Sequence, residues 1–114
     1  MELSGENYSI SFEPASATIT CSGQLRLCGE DGYADISKLL NEIVEKKPAA
    51  ITLDLRQLRF LNSSGINVFF RFVINVRNTK ASRLRVQGTQ AFPWHQKTLK
   101  NLKRLMPDLL LEIE

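Results

Sequence analysis

The chain predicts a small α/β domain built on a mixed sheet, and two patterns carry that expectation. Apolar residues alternate at every second position early in the chain, then recur at spacings of three and four in later stretches. Short apolar runs separate those stretches. The resulting order, ββαβαβαβ, interleaves strands with helices, so about five strands in a mixed sheet should be covered by about three helices. With 114 residues, 43% of them hydrophobic, the sequence supplies one core and one domain, residues 1–114.

Residues 8–13, Tyr-Ser-Ile-Ser-Phe-Glu, alternate as a half-buried strand does, and residues 13–16 turn the chain. Residues 17–27 alternate again, with Gly23 marking a bulge or bend. The two strands form a hairpin. After a polar loop at 28–32, a helix is expected over 33–46. Ile36, Leu39, Leu40, Ile43 and Val44 form its apolar stripe, and Pro48 ends it. The run 50–55 reads as a buried strand, followed by an irregular connector and a long helix closing at Asn78-Thr79-Lys80. A strand at 84–86 ends at Gly88. Pro93 suits the first turn of a third helix, striped by Leu99, Leu102 and Met106 and stopped by Pro107. Leu109 to Ile113 forms the last strand.

The connector ends in Asn62-Ser63-Ser64-Gly65. Asn and Ser side chains accept hydrogen bonds from the N–H groups that a first helical turn leaves unpaired. Two hydroxyls therefore stand where the helix dipole is positive, ground that favours a phosphate. A strand, then Leu58-Arg59-Phe60-Leu61-Asn62-Ser63-Ser64-Gly65-Ile66, then an apolar helix resembles the signature of STAS domains of the stand-alone bacterial anti-sigma factor antagonist type.

That resemblance implies a phosphoacceptor at Ser63, with Asn62 standing where the family usually has Asp. Gly23-Gln24-Leu25 resembles the family's Gly-Glu-Leu/Ile, and Arg26 replaces the Asp often found next. It also implies a switch. The unphosphorylated form binds an anti-sigma serine kinase and frees a sigma factor, the phosphorylated form lets go, and a PP2C-type phosphatase resets the cycle. The family usually adds a last helix after the final strand; with the sequence stopping at Glu114, that helix is expected to be missing.

Asn62, Ser64 and Gly65 are expected to support the acceptor loop. Asp54, pointing away from its neighbours Leu53 and Leu55, is read as structural or as a further support of that loop. On a helical wheel Ile66, Phe69, Phe70 and Val73 gather as a core stripe. Val68 and Phe72 fall nearly opposite, an expected exposed pair suited to docking the partner kinase.

Catalysis finds little support. There is neither a phosphate-binding Gly-x-x-x-x-Gly-Lys-Ser/Thr loop nor a Gly-x-Gly-x-x-Gly turn. His95, the sole imidazole, is expected at the surface or an edge, with no nucleophile paired to it. No enzyme, cofactor or metal is expected. Cys21 and Cys28, seven apart in one extended run, should face opposite sides and stay reduced.

No apolar run approaches the roughly 20 residues that span a bilayer, and residues 1–6 lack the features of a signal peptide. The expected setting is therefore the cytoplasm. Residues 55–107 hold eleven Lys and Arg and no acid. The expected explanation is a solvated outer strand (Arg83, Arg85) and helix face (Lys97, Lys100, Lys103, Arg104). A nucleic-acid module is the minor alternative. A STAS scaffold that binds another partner or a small ligand without phosphorylation is the nearer one.

Overall fold

The computed structural model describes all 114 residues. Its elements are β1 (Glu2–Ser4), β2 (Tyr8–Glu13), β3 (Thr18–Leu25), α1 (Gly29–Gly32), α2 (Ala34–Glu45), β4 (Ala50–Leu61), α3 (Ser63–Thr79), β5 (Arg83–Gly88), α4 (Pro93–Leu105) and β6 (Leu110–Ile113). All six strands join one sheet in the order β1-β2-β3-β4-β5-β6. The first two pairings are antiparallel and the last three parallel. The mixed sheet is as expected. The short edge strand β1 and the one-turn helix α1 are additions to it.

Strand order equals chain order, and one face of the sheet therefore stays open. Crossovers between parallel strands are right-handed, and all three step the same way along the sheet. The helices α2, α3 and α4 consequently fall side by side on one face, with α2 touching α3 and α3 touching α4. Burial follows this arrangement. Ile10, Ile19, Cys21, Ile51, Leu53, Leu55, Leu84 and Val86 are buried under the helices. Thr52, Asp54, Arg83 and Arg85 alternate with them toward solvent. On this open face Arg85 pairs with Glu112 at 2.8 Å.

Both cysteines are free; Cys21 is buried in β3 and Cys28 is exposed. Burial pushes the Cys21 thiol up to about 12, so it stays protonated.

The connector expected after residue 55 is strand. β4 runs on to Leu61 because β3 stays beside it, pairing Ser22 with Gln57, Gly23 with Leu58, Gln24 with Phe60 and Leu25 with Leu61 across two register shifts. Gly23 bends β3 there at a φ of 85°, a conformation open to glycine at little cost.

On its other side β4 outruns β5, whose pairing stops at Asp54–Gln87. Two side chains of α4 take over. Trp94 Nε1–H donates to the Arg59 carbonyl at 2.8 Å, and His95 Nε2 lies 2.8 Å from the Leu58 carbonyl. The Thr89 N–H donates to His95 Nδ1 at 3.1 Å. An N–H aimed at Nδ1 requires a lone pair there, so the ring proton sits on Nε2 and is donated to Leu58.

His95 is thus fully buried, at 0% exposure, which overturns its expected place at the surface. Burial lowers its pKa below the ordinary imidazole value, the bond to Leu58 opposing that only in part. A neutral buried histidine ties stability to pH with a definite sign. Below about pH 6.5 the unfolded chain takes up a proton that the folded ring resists, so stability falls as pH drops through that value. Replacing His95 with Phe strands the Leu58 carbonyl and the Thr89 N–H. The variant is expected to lose about 2–4 kcal/mol and to show a flatter stability profile between about pH 6.5 and 5, read by urea unfolding across that range.

Candidate functional site

The site lies at the carboxyl end of β4, where the strand gives way to α3. Asn62 makes that junction. Its backbone is extended (φ −79°, ψ 175°) and it serves as N-cap of α3. Its side-chain Oδ1 accepts from the Gly65 N–H at 3.0 Å and from the Tyr33 hydroxyl at 2.7 Å. Its Nδ2 donates to the Leu27 carbonyl at 2.8 Å. The Asn62 backbone N–H donates to the Leu25 carbonyl at 3.1 Å, and its carbonyl accepts from the Ile66 N–H at 2.9 Å. One residue thus ties α3 to the end of β3, to the loop after it and to Tyr33 ahead of α2.

This pattern explains the asparagine. The Leu27 carbonyl needs a donor, which an ionised Asp lacks; an Asp here would set a carboxylate oxygen against a carbonyl oxygen. Tyr33 is buried, and that burial raises its pKa, so its hydroxyl remains a donor to Asn62. Gly65 is excluded from growing a side chain: a Cβ there would meet Leu61 and would stand 2.7 Å from the Tyr33 hydroxyl oxygen.

Ser63 follows as the first residue of α3 and is exposed. The Gly65 N–H goes to Asn62, so Ser63 is not the cap. Ser64 is half-buried, and the first turn contains no acid. Nearby, the Arg26 guanidinium lies over the Phe60 ring, 4.4 Å from its centroid.

Two expected site assignments fail on geometry. Asp54 does not reach the Ser63 loop. Its carboxylate is held by Arg56, with Nε at 2.9 Å, Nη2 at 2.8 Å and the Arg56 backbone N–H at 3.1 Å. Arg56 continues to Glu114 at 3.0 Å. These bonds to Arg56 outweigh desolvation and keep the Asp54 carboxyl below the usual carboxylate range.

Val68 and Phe72, expected as an exposed docking pair, are buried at 4% and 2% exposure. They face α2, where they share a hollow with Leu40. The buried face of α3 is rotated by about one position from the expected stripe and consists of Gly65, Val68, Phe69, Phe72, Val73 and Val76. Ile66 and Phe70 are only half-buried. Phe72→Glu would therefore bury a charge and unfold the protein rather than probe docking.

No group of three or more His, Cys, Asp or Glu residues is arranged to hold a metal ion. No helix is long and apolar enough to cross a membrane.

The fold defined by these elements is STAS-like. No family model matches the sequence, and no curated protein does. Solved structures match over nearly the whole chain. SiaC of Pseudomonas aeruginosa superposes at a TM-score of 0.76 with 11% identity, covering 100% of this chain and 96% of that one. The complex of the P. aeruginosa diguanylate cyclase SiaD with its activator SiaC supplies a match at 0.76 and 10%, covering 100% and 99%. SpoIIAA, a Bacillus cell fate determinant solved in its phosphorylated form, matches at 0.59 and 14%, covering 94% and 92%. At these identities the likeness is one of fold.

The junction yields a direct test. Asn62→Asp loses the donor to Leu27 and is expected to destabilise the domain by about 1–3 kcal/mol. Asn62→Ala, which also removes the cap and the Tyr33 acceptor, should cost about 2–4 kcal/mol. Both are read by chemical denaturation.

Proposed function

We propose that this protein is a non-enzymatic partner-binding switch whose state is set by phosphorylation of Ser63. The observation that carries the reading is the division of labour at the start of α3. Asn62 caps the helix, leaving the adjacent Ser63 hydroxyl exposed at the positive end of a 17-residue helix without an acid in its first turn.

A phosphate there adds about −1.5 to −2 charges and three acceptor oxygens. The helix dipole favours that charge, and none of the bonds that Asn62 makes depends on the Ser63 side chain. Modification therefore leaves the fold intact and changes what docks on it. The phosphorylated state of the SpoIIAA structure, a neighbour of the same fold, supports the reading.

The partner in this reading is a serine kinase of the anti-sigma type, bound when Ser63 is unmodified and released when it is phosphorylated. A PP2C-type phosphatase reverses the mark. The docking surface includes the flank of α3 that runs on from Ser63, where Ile66 and Phe70 lie three and seven residues along and are half-buried. Ser64 and Gly65 shape the loop without contributing chemistry.

A second reading keeps the scaffold and changes the partner. The match to SiaC, which is bound to a diguanylate cyclase as its activator, has the higher TM-score of 0.76. In that reading the protein binds and activates an enzyme.

Incubation with ATP and candidate serine kinases, followed by mass spectrometry, separates the two. A single phosphate on Ser63, absent from Ser63→Ala, is the expected result. Ser63→Glu should weaken kinase binding by about tenfold or more, which is about 1.4 kcal/mol, with little change in melting temperature. Tight association without modification favours a scaffold that is not phosphorylated, and binding to a diguanylate cyclase with a rise in its turnover would favour the enzyme-activator reading.

A further inference from the structure

We propose that Arg26 is the internal counter-charge for phosphorylated Ser63: it rests on Phe60 in the unmodified protein and leaves that ring to pair with the phosphate. The inference builds on the Ser63 reading and names how the mark is read out.

Arg26 lies between the two residues that hold Asn62. The Leu25 carbonyl takes the Asn62 N–H at 3.1 Å, and the Leu27 carbonyl takes Asn62 Nδ2 at 2.8 Å. The residue just before Ser63 is therefore bonded on both sides of Arg26, which places Arg26 beside the acceptor loop in space although 37 positions separate it from Ser63 in sequence.

The side chain is also uncommitted. Arg26 is exposed, and the ion pairs of the molecule engage Arg56, Arg71 and Arg85. Its one specific contact is the Phe60 ring, 38% exposed, at 4.4 Å. Stacking of a cation on an exposed ring is a weak attachment. A phosphate close to dianionic is a much stronger partner, and the planar guanidinium can bond two of its oxygens at once.

Two consequences follow from that exchange. The added charge is partly neutralised within the protein, so the modified site does not present a bare dianion. The Phe60 ring, covered by Arg26 before modification, becomes available beside the phosphate. A partner that discriminates the two states then reads an uncovered aromatic ring as well as a phosphate.

The test uses the full chain with phosphoserine installed at position 63 during translation, so that no kinase is involved. In ³¹P NMR the second ionisation of that phosphate normally falls at about pH 6. Arg26 is expected to lower it by roughly half a unit or more relative to the phosphorylated Arg26→Ala variant, since a nearby opposite charge favours the ionised form. Arg59→Ala, which removes another exposed arginine of the β4 end, should leave the titration unchanged. In the unmodified protein the Arg26 δ-methylene protons should be shifted upfield by the Phe60 ring, and phosphorylation should abolish that shift.

Identical titrations with and without Arg26, a shift lost with Arg59 instead, or a ring-current shift that survives phosphorylation would each overturn the proposal. A kinase that fails to modify Ser63 would count against the switch and leave this result untouched; the converse also holds.

Discussion

The structure depends on one asparagine with every polar group occupied. Asn62 sits where the longest strand meets the longest helix. Its four polar groups reach four separate places: the end of β3, the loop beyond it, Tyr33 ahead of α2, and the first turn of α3. A buried or half-buried amide that meets all its partners rigidifies its surroundings, whereas a partly satisfied one is costly. With the cap and the loop anchored at Asn62, the next residue is free of structural duty. Ser63 owes its exposure to the complete engagement of its neighbour.

The sheet places that residue where a partner can reach it. Ser63 follows the carboxyl end of a central strand and is exposed at the start of α3. The opposite sheet face is polar and laced by ion pairs such as Arg56–Asp54 and Arg85–Glu112, each worth little on an exposed surface. Strand order also turns a feature of the sequence into one of shape. Because neighbours in the sheet are neighbours in the chain, the acid-free segment 55–107 becomes one side of the molecule rather than a scattering of charges.

Much of this was legible from residues alone. Alternation in 8–13 and 17–27 and the stripe from Ile36 to Val44 placed the hairpin and α2 closely, because each element packs on one side only and its pattern carries a single period. Helix α3 lies between α2 and α4, so its buried arc is wide. Ile66 and Phe70 then compete with Val68 and Phe72 for the role of core stripe, and a wheel alone cannot rank them.

The overhang of β4 escaped for a different reason. Leu55, Leu58 and Leu61 are three apart, a spacing that breaks strand alternation, and the two register shifts against β3 account for it. His95 escaped because its main partner is remote in sequence: the ring answers to the backbone groups of Leu58 and Thr89. Asp54 is held by Arg56, only two residues along on the same face of β4, a pairing that strand alternation itself allows.

The candidate site itself was legible as a motif, and its departures became intelligible only in three dimensions. Asn62 in place of the family's Asp follows from the Leu27 carbonyl, which requires a donor. Arg26 in place of another Asp puts a cation beside the loop, held only by an aromatic ring. Both substitutions change the field around Ser63 in the same direction. With two carboxylates, an added phosphate would meet like charge and a raised cost of ionisation. With an amide and a guanidinium it meets a neutral group and an opposite charge. A site of this composition would accept a phosphate on Ser63 without a like-charge penalty from these two positions.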